Sequence, residues 1–172
     1  MSTVNFIAVL EKTGNTPLSG WKKRIFVVLD NVVEYYEAPE DERDNIDAFT
    51  EKLKQDLQNE RTGYKRLFLI KGLEHKGDFR IREIANMTAD ETEPNSDSKA
   101  KSSARESLLK KTKQNYVRIH VEVGDRTHHF RTTDQEVAVQ FIRHVEARRR
   151  FISTGEVIRT SLMYVNMFIC LK

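Results

Sequence analysis

The stretch Trp21-Lys22-Lys23-Arg24-Ile25-Phe26-Val27-Val28-Leu29-Asp30 decides the fold. It starts basic and ends in β-branched and aromatic residues, which is the composition of a strand. Side chains along a strand alternate between its faces. Lys22, Arg24, Phe26 and Val28 therefore share one face, and Lys23, Ile25, Val27 and Leu29 the other. The second half of such a strand fills a core while the first half carries cations to the open end of a barrel. Lys22 and Arg24 would stand roughly 6–7 Å apart, two rises of about 3.3 Å, a spacing that suits a small polyanion. Taken alone, the strand is better described as a solvated basic end.

Upstream, residues 4–12 form a first strand that places Ala8, Leu10 and Lys12 on one face. Gly14, Asn15, Pro17, Ser19 and Gly20 between them supply turn chemistry, so the two strands make a hairpin. Downstream, Asp30-Asn31 signals a turn and Val32-Val33-Glu34-Tyr35-Tyr36 a third strand. Pro39 ends this meander. In residues 40–62, Ile46, Phe49, Leu53 and Leu57 recur at helical spacing, which predicts a one-sided helix. Residues 37–66 carry nine acids against six bases, so this insertion is a poor lipid-facing surface, whether it packs on the barrel or hangs from it.

Further strands are expected at Leu67-Phe68-Leu69-Ile70 and at Phe79-Arg80-Ile81-Arg82-Glu83-Ile84, with a turn at Gly77-Asp78. Residues 88–113 are acidic first and basic later, with almost nothing apolar. That composition cannot offset ordering entropy, and a disordered insertion is expected. Residues 116–123 alternate, Gly124-Asp125 turns the chain, and 126–132 returns as a strand. Thr133 with Glu136 matches a capping box, and the helix after it carries Ala138, Phe141, Ile142 and Val145 on one face. Arg148-Arg149-Arg150 suit its C-terminus. About seven short antiparallel strands and a closing amphipathic helix thus describe a mainly β barrel or sandwich over residues 1–152. Its insertions span 38–66 and 88–113.

The 172 residues suit one domain with a real core. With 32% charged residues and a mean hydropathy of −0.60, the chain reads as water-soluble. A net charge of +3 is too weak for broad nucleic-acid binding, so no nucleic-acid partner is expected and any anion site must be local. The single cysteine, Cys170, leaves no internal disulfide and fits a reducing compartment. No secretory signal is expected from the first residues, and no run of about 20 apolar residues is present. Residues 153–172 form an extension that is apolar but too short to span a bilayer. Packing on the domain is expected ahead of an edge strand, an interfacial anchor or a partner-binding tail.

Catalysis is not expected. The chain has no phosphate-cradling glycine loop, no zinc-type spacing and no nucleophile elbow. His128 and His129 are adjacent, so in a strand they point to opposite faces and cannot share a metal there; with His120 they are expected at the surface or rim. No metal or cofactor is expected.

Lys12, the loop after it, the basic strand from Trp21, the pair Tyr35-Tyr36, the step Lys71-Gly72, and the closing strands and helix together resemble a pleckstrin-homology domain. The resemblance covers most of residues 4–150 outside the insertions. Departures are Phe141 in place of the family's helix tryptophan, Ala8 where glycine is common, and Glu37 where a basic residue often sits. The resemblance implies a module that binds phosphoinositide headgroups on the cytoplasmic leaflet and is cytoplasmic and peripheral to the membrane. Lys12, Lys22 and Arg24 would contact ring phosphates, Tyr35 would donate its hydroxyl, and Lys71 would add charge. Leu18 and Trp21 could dip into the interface, or Trp21 cap the barrel rim. The competing reading is a protein-interaction module of the same fold, with insertion 38–66 or the C-terminal tail as partner surface and an extended peptide added as a strand.

Overall fold

The computed structural model describes residues 3–13, 20–59, 63–92 and 115–169, with residues 91, 92 and 156–169 described by backbone alone. β1 (Phe6–Thr13) pairs residue for residue with β2 (Trp21–Val28). The turn at Asp30-Asn31 closes with Leu29 N–H donating to Val32 C=O at 2.9 Å and leads into β3 (Val32–Glu37). A 3-10 turn at Glu40–Glu42 precedes α1 (Ile46–Asn59) and α2 (Tyr64–Ile70). β4 (Glu74–Arg80) and β5 (Ile84–Thr92) follow, separated by a 3-10 turn at Ile81–Glu83. β6 (Tyr116–Val123), β7 (Arg126–Thr132) and α3 (Gln135–Ile169) complete the described residues.

All ladders are antiparallel, in the order β4-β3-β2-β1-β7-β6-β5. The sheet curls over itself without closing. Phe79 of β4 stacks on His128 of β7 at 5.2 Å, although three strands separate them in the order. This is the sandwich with a C-terminal helix that the family resemblance implied.

The core lies on both sides of β2, because its apolar run leaves no polar face. Inside the curl, Leu10, Phe26, Val28, Phe79, Ile119 and Phe130 meet Ala138, Phe141 and Val145 of α3. Phe141 is fully buried and packs edge-on against Phe26 at 5.9 Å and Phe130 at 6.2 Å. Outside the curl, Ile7, Ile25, Val27 and Tyr36 meet Ile46, Phe49 and Leu53 of α1 and Tyr64, Leu67 and Phe68 of α2. The helical insertion therefore packs on the sheet.

Several expectations change. Leu67-Phe68-Leu69-Ile70 is helical: Tyr64, Leu67 and Phe68 are buried at helical spacing while Leu69 and Ile70 are exposed. A short apolar run does not distinguish strand from helix by periodicity. Gly77-Asp78 lies within β4, where it pairs Tyr35 and Glu34 beside a bulge, and the strand expected over 79–84 is split by the 3-10 turn. Residues 88–92, assigned above to an insertion, extend β5 opposite β6; the remainder of that insertion, 93–113, lies outside the described residues. Finally, the cap of α3 is Asp134, whose Oδ1 accepts from Val137 N–H at 3.1 Å. The helix does not stop at its arginines but continues to Ile169, so the boundary expected at 152 falls inside it. Arg148 instead reaches Asp30 and Asn5, and Arg149 donates to Ala85 C=O at 3.1 Å.

A candidate anion site at the open end of the sandwich

Residues directly opposite in an antiparallel pair share a face. Lys12 lies opposite Lys22, Leu10 opposite Arg24, and Phe26 opposite Tyr35. Leu10 and Phe26 face the interior, so Lys12, Lys22, Arg24 and Tyr35 belong to that same face. α3 covers the far end, where Phe6 stacks on His144 at 4.7 Å. The cations thus stand at the opposite end, the mouth, which no described residue of α3 covers.

Lys12 Nζ donates to Thr13 C=O at 3.1 Å and lies 5.2 Å from the centre of the Tyr35 ring. Burial, and then the charge of Arg24, lower its pKa. Both effects mark an ammonium short of an anionic partner. Tyr35 stacks on Phe26 at 5.5 Å, and its hydroxyl passes over Gly77 so closely that a Cβ there would overlap it. Gly77 has φ +154°, which further favours glycine at that position. Burial raises the pKa of Tyr35 and keeps it a donor.

Lys12 and Tyr35 line a groove of about 670 Å³ together with Asp78, Arg126 and His128. Alternation along β7 turns His128 inward with Phe130. Burial, followed by Lys12, Arg126 and His129, holds its imidazole below the ordinary histidine pKa. Arg126 and His128 are not among the anion ligands expected from the sequence. The inward alternation of His128 was available there, but its position against Lys12 depends on β1 lying beside β7.

The other expected residues divide. Lys22 is exposed at the rim. Arg24 is engaged: Nη1 donates to Lys23 C=O at 2.9 Å, and Nη2 lies 3.4 Å from Glu37. Glu37 also meets Lys76 at 3.0 Å and Arg43 at 3.2 Å. Burial works to raise its pKa, but these three cations outweigh it and the carboxyl titrates below its usual value. Lys71 does not join the mouth. It follows α2 in a turn, pairs with Asp56 at 2.6 Å, and lines a separate cavity beside Phe49 and Leu53 of α1.

Trp21 caps the rim. The Arg131 guanidinium sits 4.3 Å from its ring and 4.1 Å from that of Tyr116, and its Nε donates to Glu11 at 2.5 Å. Leu18 lies outside the described residues. His129 faces away from His128 and meets His120, Nδ1 to Nδ1, at 2.8 Å. Around the groove stand the half-buried Lys12 ammonium, the Arg126 guanidinium, the His128 and His129 imidazoles, the Tyr35 phenol and the Asp78 carboxylate; Lys22 and Arg24 share the inward face but do not line this groove. No protein-family model matches the chain, and no curated protein matches it closely enough to count as a relative.

Proposed function

We propose that the protein is a non-catalytic adaptor of the pleckstrin-homology family that binds phosphoinositide headgroups and is recruited from the cytoplasm to the cytoplasmic leaflet. The observation that carries this reading is the shared inward face of Lys12, Lys22, Arg24 and Tyr35 at the mouth. Lys12 is the central ligand, Lys22 the rim ligand, and Arg126 and His128 complete the opposite wall. Lysine supplies a movable charge, and arginine a planar fork that suits phosphate. Arg24 contributes only when a phosphate competes with Glu37 for it. A second reading, a protein-docking module of the same fold without tight lipid binding, is favoured by that neutralisation of Arg24.

Co-sedimentation with phosphatidylcholine vesicles carrying either phosphoinositides or phosphatidylserine at matched charge tests the proposal. Binding is expected with phosphoinositide vesicles. Two juxtamembrane cations contribute about 1 kcal/mol each, so Lys12→Ala with Lys22→Ala weakens it about 30-fold. Glu37→Gln frees Arg24 and strengthens it. Equal pelleting on both vesicle types, or indifference to the double substitution, defeats the headgroup reading.

A further inference from the structure

β1 pairs with β2 through its whole length but with β7 only at Glu11 and Lys12. β7 ends at Thr132, and the chain turns away into α3. Residues 6–10 therefore leave one backbone edge without a strand among the described residues. Successive N–H and C=O groups of a strand point to alternate edges, so two or three of these residues present donors and acceptors there with no strand partner among the described residues. Buried backbone groups of this kind are nearly always satisfied by a partner or by water.

This edge floors a groove of about 700 Å³ walled by α1 and the start of α3. Five acids and three bases line it. Lys23 meets Asp47 at 3.0 Å, Lys54 meets Glu51 at 2.7 Å, and Arg131 meets Glu11 at 2.5 Å. Asp134 and Glu136, both exposed at the start of α3, remain in excess. The first two ion pairs are exposed, and such pairs exchange at little cost. The groove is thus long, strand-edged and acidic.

We propose that the open half of β1 takes an extended basic peptide from a protein partner as an added strand. Five residues at about 3.3 Å each run the length of the open edge. Side chains on one side of that strand meet Asp47 and Glu51 of α1; those on the other meet Val137 of α3. A sequence alternating basic and apolar residues fits both walls, and phosphorylated or acidic peptides are repelled. This site is separate from the mouth that holds Lys12, and it stands or falls independently of the headgroup reading.

The test is fluorescence anisotropy of a labelled heptapeptide of alternating lysine and valine, titrated with the full chain. Saturable binding is expected. Methylating alternate backbone amides on the pairing edge removes strand hydrogen bonds and should weaken binding at least tenfold, while a glutamate-valine counterpart should not bind. Glu51→Lys with Glu136→Lys, both at exposed positions, should also weaken it at least tenfold with an unchanged melting temperature. Absent saturation, equal binding of the methylated peptide, or full binding by the charge-reversed variant overturns the proposal. Tighter peptide binding after deletion of residues 97–112, or a concentration-dependent dimer competed by the peptide, would assign the edge to the chain's own basic segment or to a second copy and overturn the partner assignment.

Discussion

Lys12 and His128 show how neighbours, more than residue type, set the charge at the mouth. Both have pKa values lowered, first by burial and then by cations facing them. His128 is surrounded by Lys12 from β1, Arg126 and His129 from β7, and Asp78 across the groove from β4. The unfolded chain takes up the histidine proton near pH 6.5, the folded chain at lower pH. Between those values the unfolded state binds more protons, so this contribution to stability is complete above about pH 6.5 and declines as the pH falls below it. His129 and His144 shift in the same direction, each chiefly through burial. Melting temperature should therefore fall between pH 7.5 and 5.5, and fall less in His128→Asn. An identical fall in that variant would place the responsible proton elsewhere. The inward face of Lys12 was legible from alternation, but its place opposite Lys22 needs the β1–β2 register. So was the face of Arg24, but capture of this residue by Glu37 needs the β2–β3 register, and Arg43 and Lys76 come from distant chain.

The element least visible in advance is α2. Five of its seven residues carry apolar or aromatic side chains that suit strand or helix equally, and tertiary packing decides. A polar contact joins the apolar packing of Leu67 and Phe68. Glu34, buried on β3, accepts from Tyr36 Oη at 2.5 Å and from Tyr64 Oη at 3.2 Å, with Lys65 at 3.9 Å. Burial, together with the Glu34 charge, holds both phenols protonated well above their usual range. Tyr64 thus fastens the first turn of α2 to the sheet. Tyr36→Phe leaves the buried carboxylate short of a donor and should cost about 1–3 kcal/mol. Urea denaturation measures the loss; a change below about 0.5 kcal/mol would mean that water replaces the phenol. Elements whose amphipathic pattern is longer, such as α1 and β6, were legible because burial repeats along them several times.

At the scale of the molecule, α3 ties the two halves of the curled, open sheet together. Phe141 joins Phe26 from one half of the sandwich and Phe130 from the other. Phe141→Ala should cost about 3–5 kcal/mol, a large part of the stability of a domain this size. Phe151 lies on the same helix but is 70% exposed, and Phe151→Ser should change stability by less than about 0.5 kcal/mol. Equal losses in thermal or urea denaturation would show that the far part of the helix carries this tie. The strands of the meander, the inward and outward faces of β1, β2, β6 and β7, and the burying face of α3 were written in the residues themselves, because a period of 2 or 3.6 is a local property of the chain. Register and contact are not local. That Glu37 meets Arg24, that α2 is a helix, that β1 parts from β7 after two pairs, and that α3 runs on past its arginines were decided only when distant segments packed, since each depends on what lies opposite rather than on what lies next in sequence.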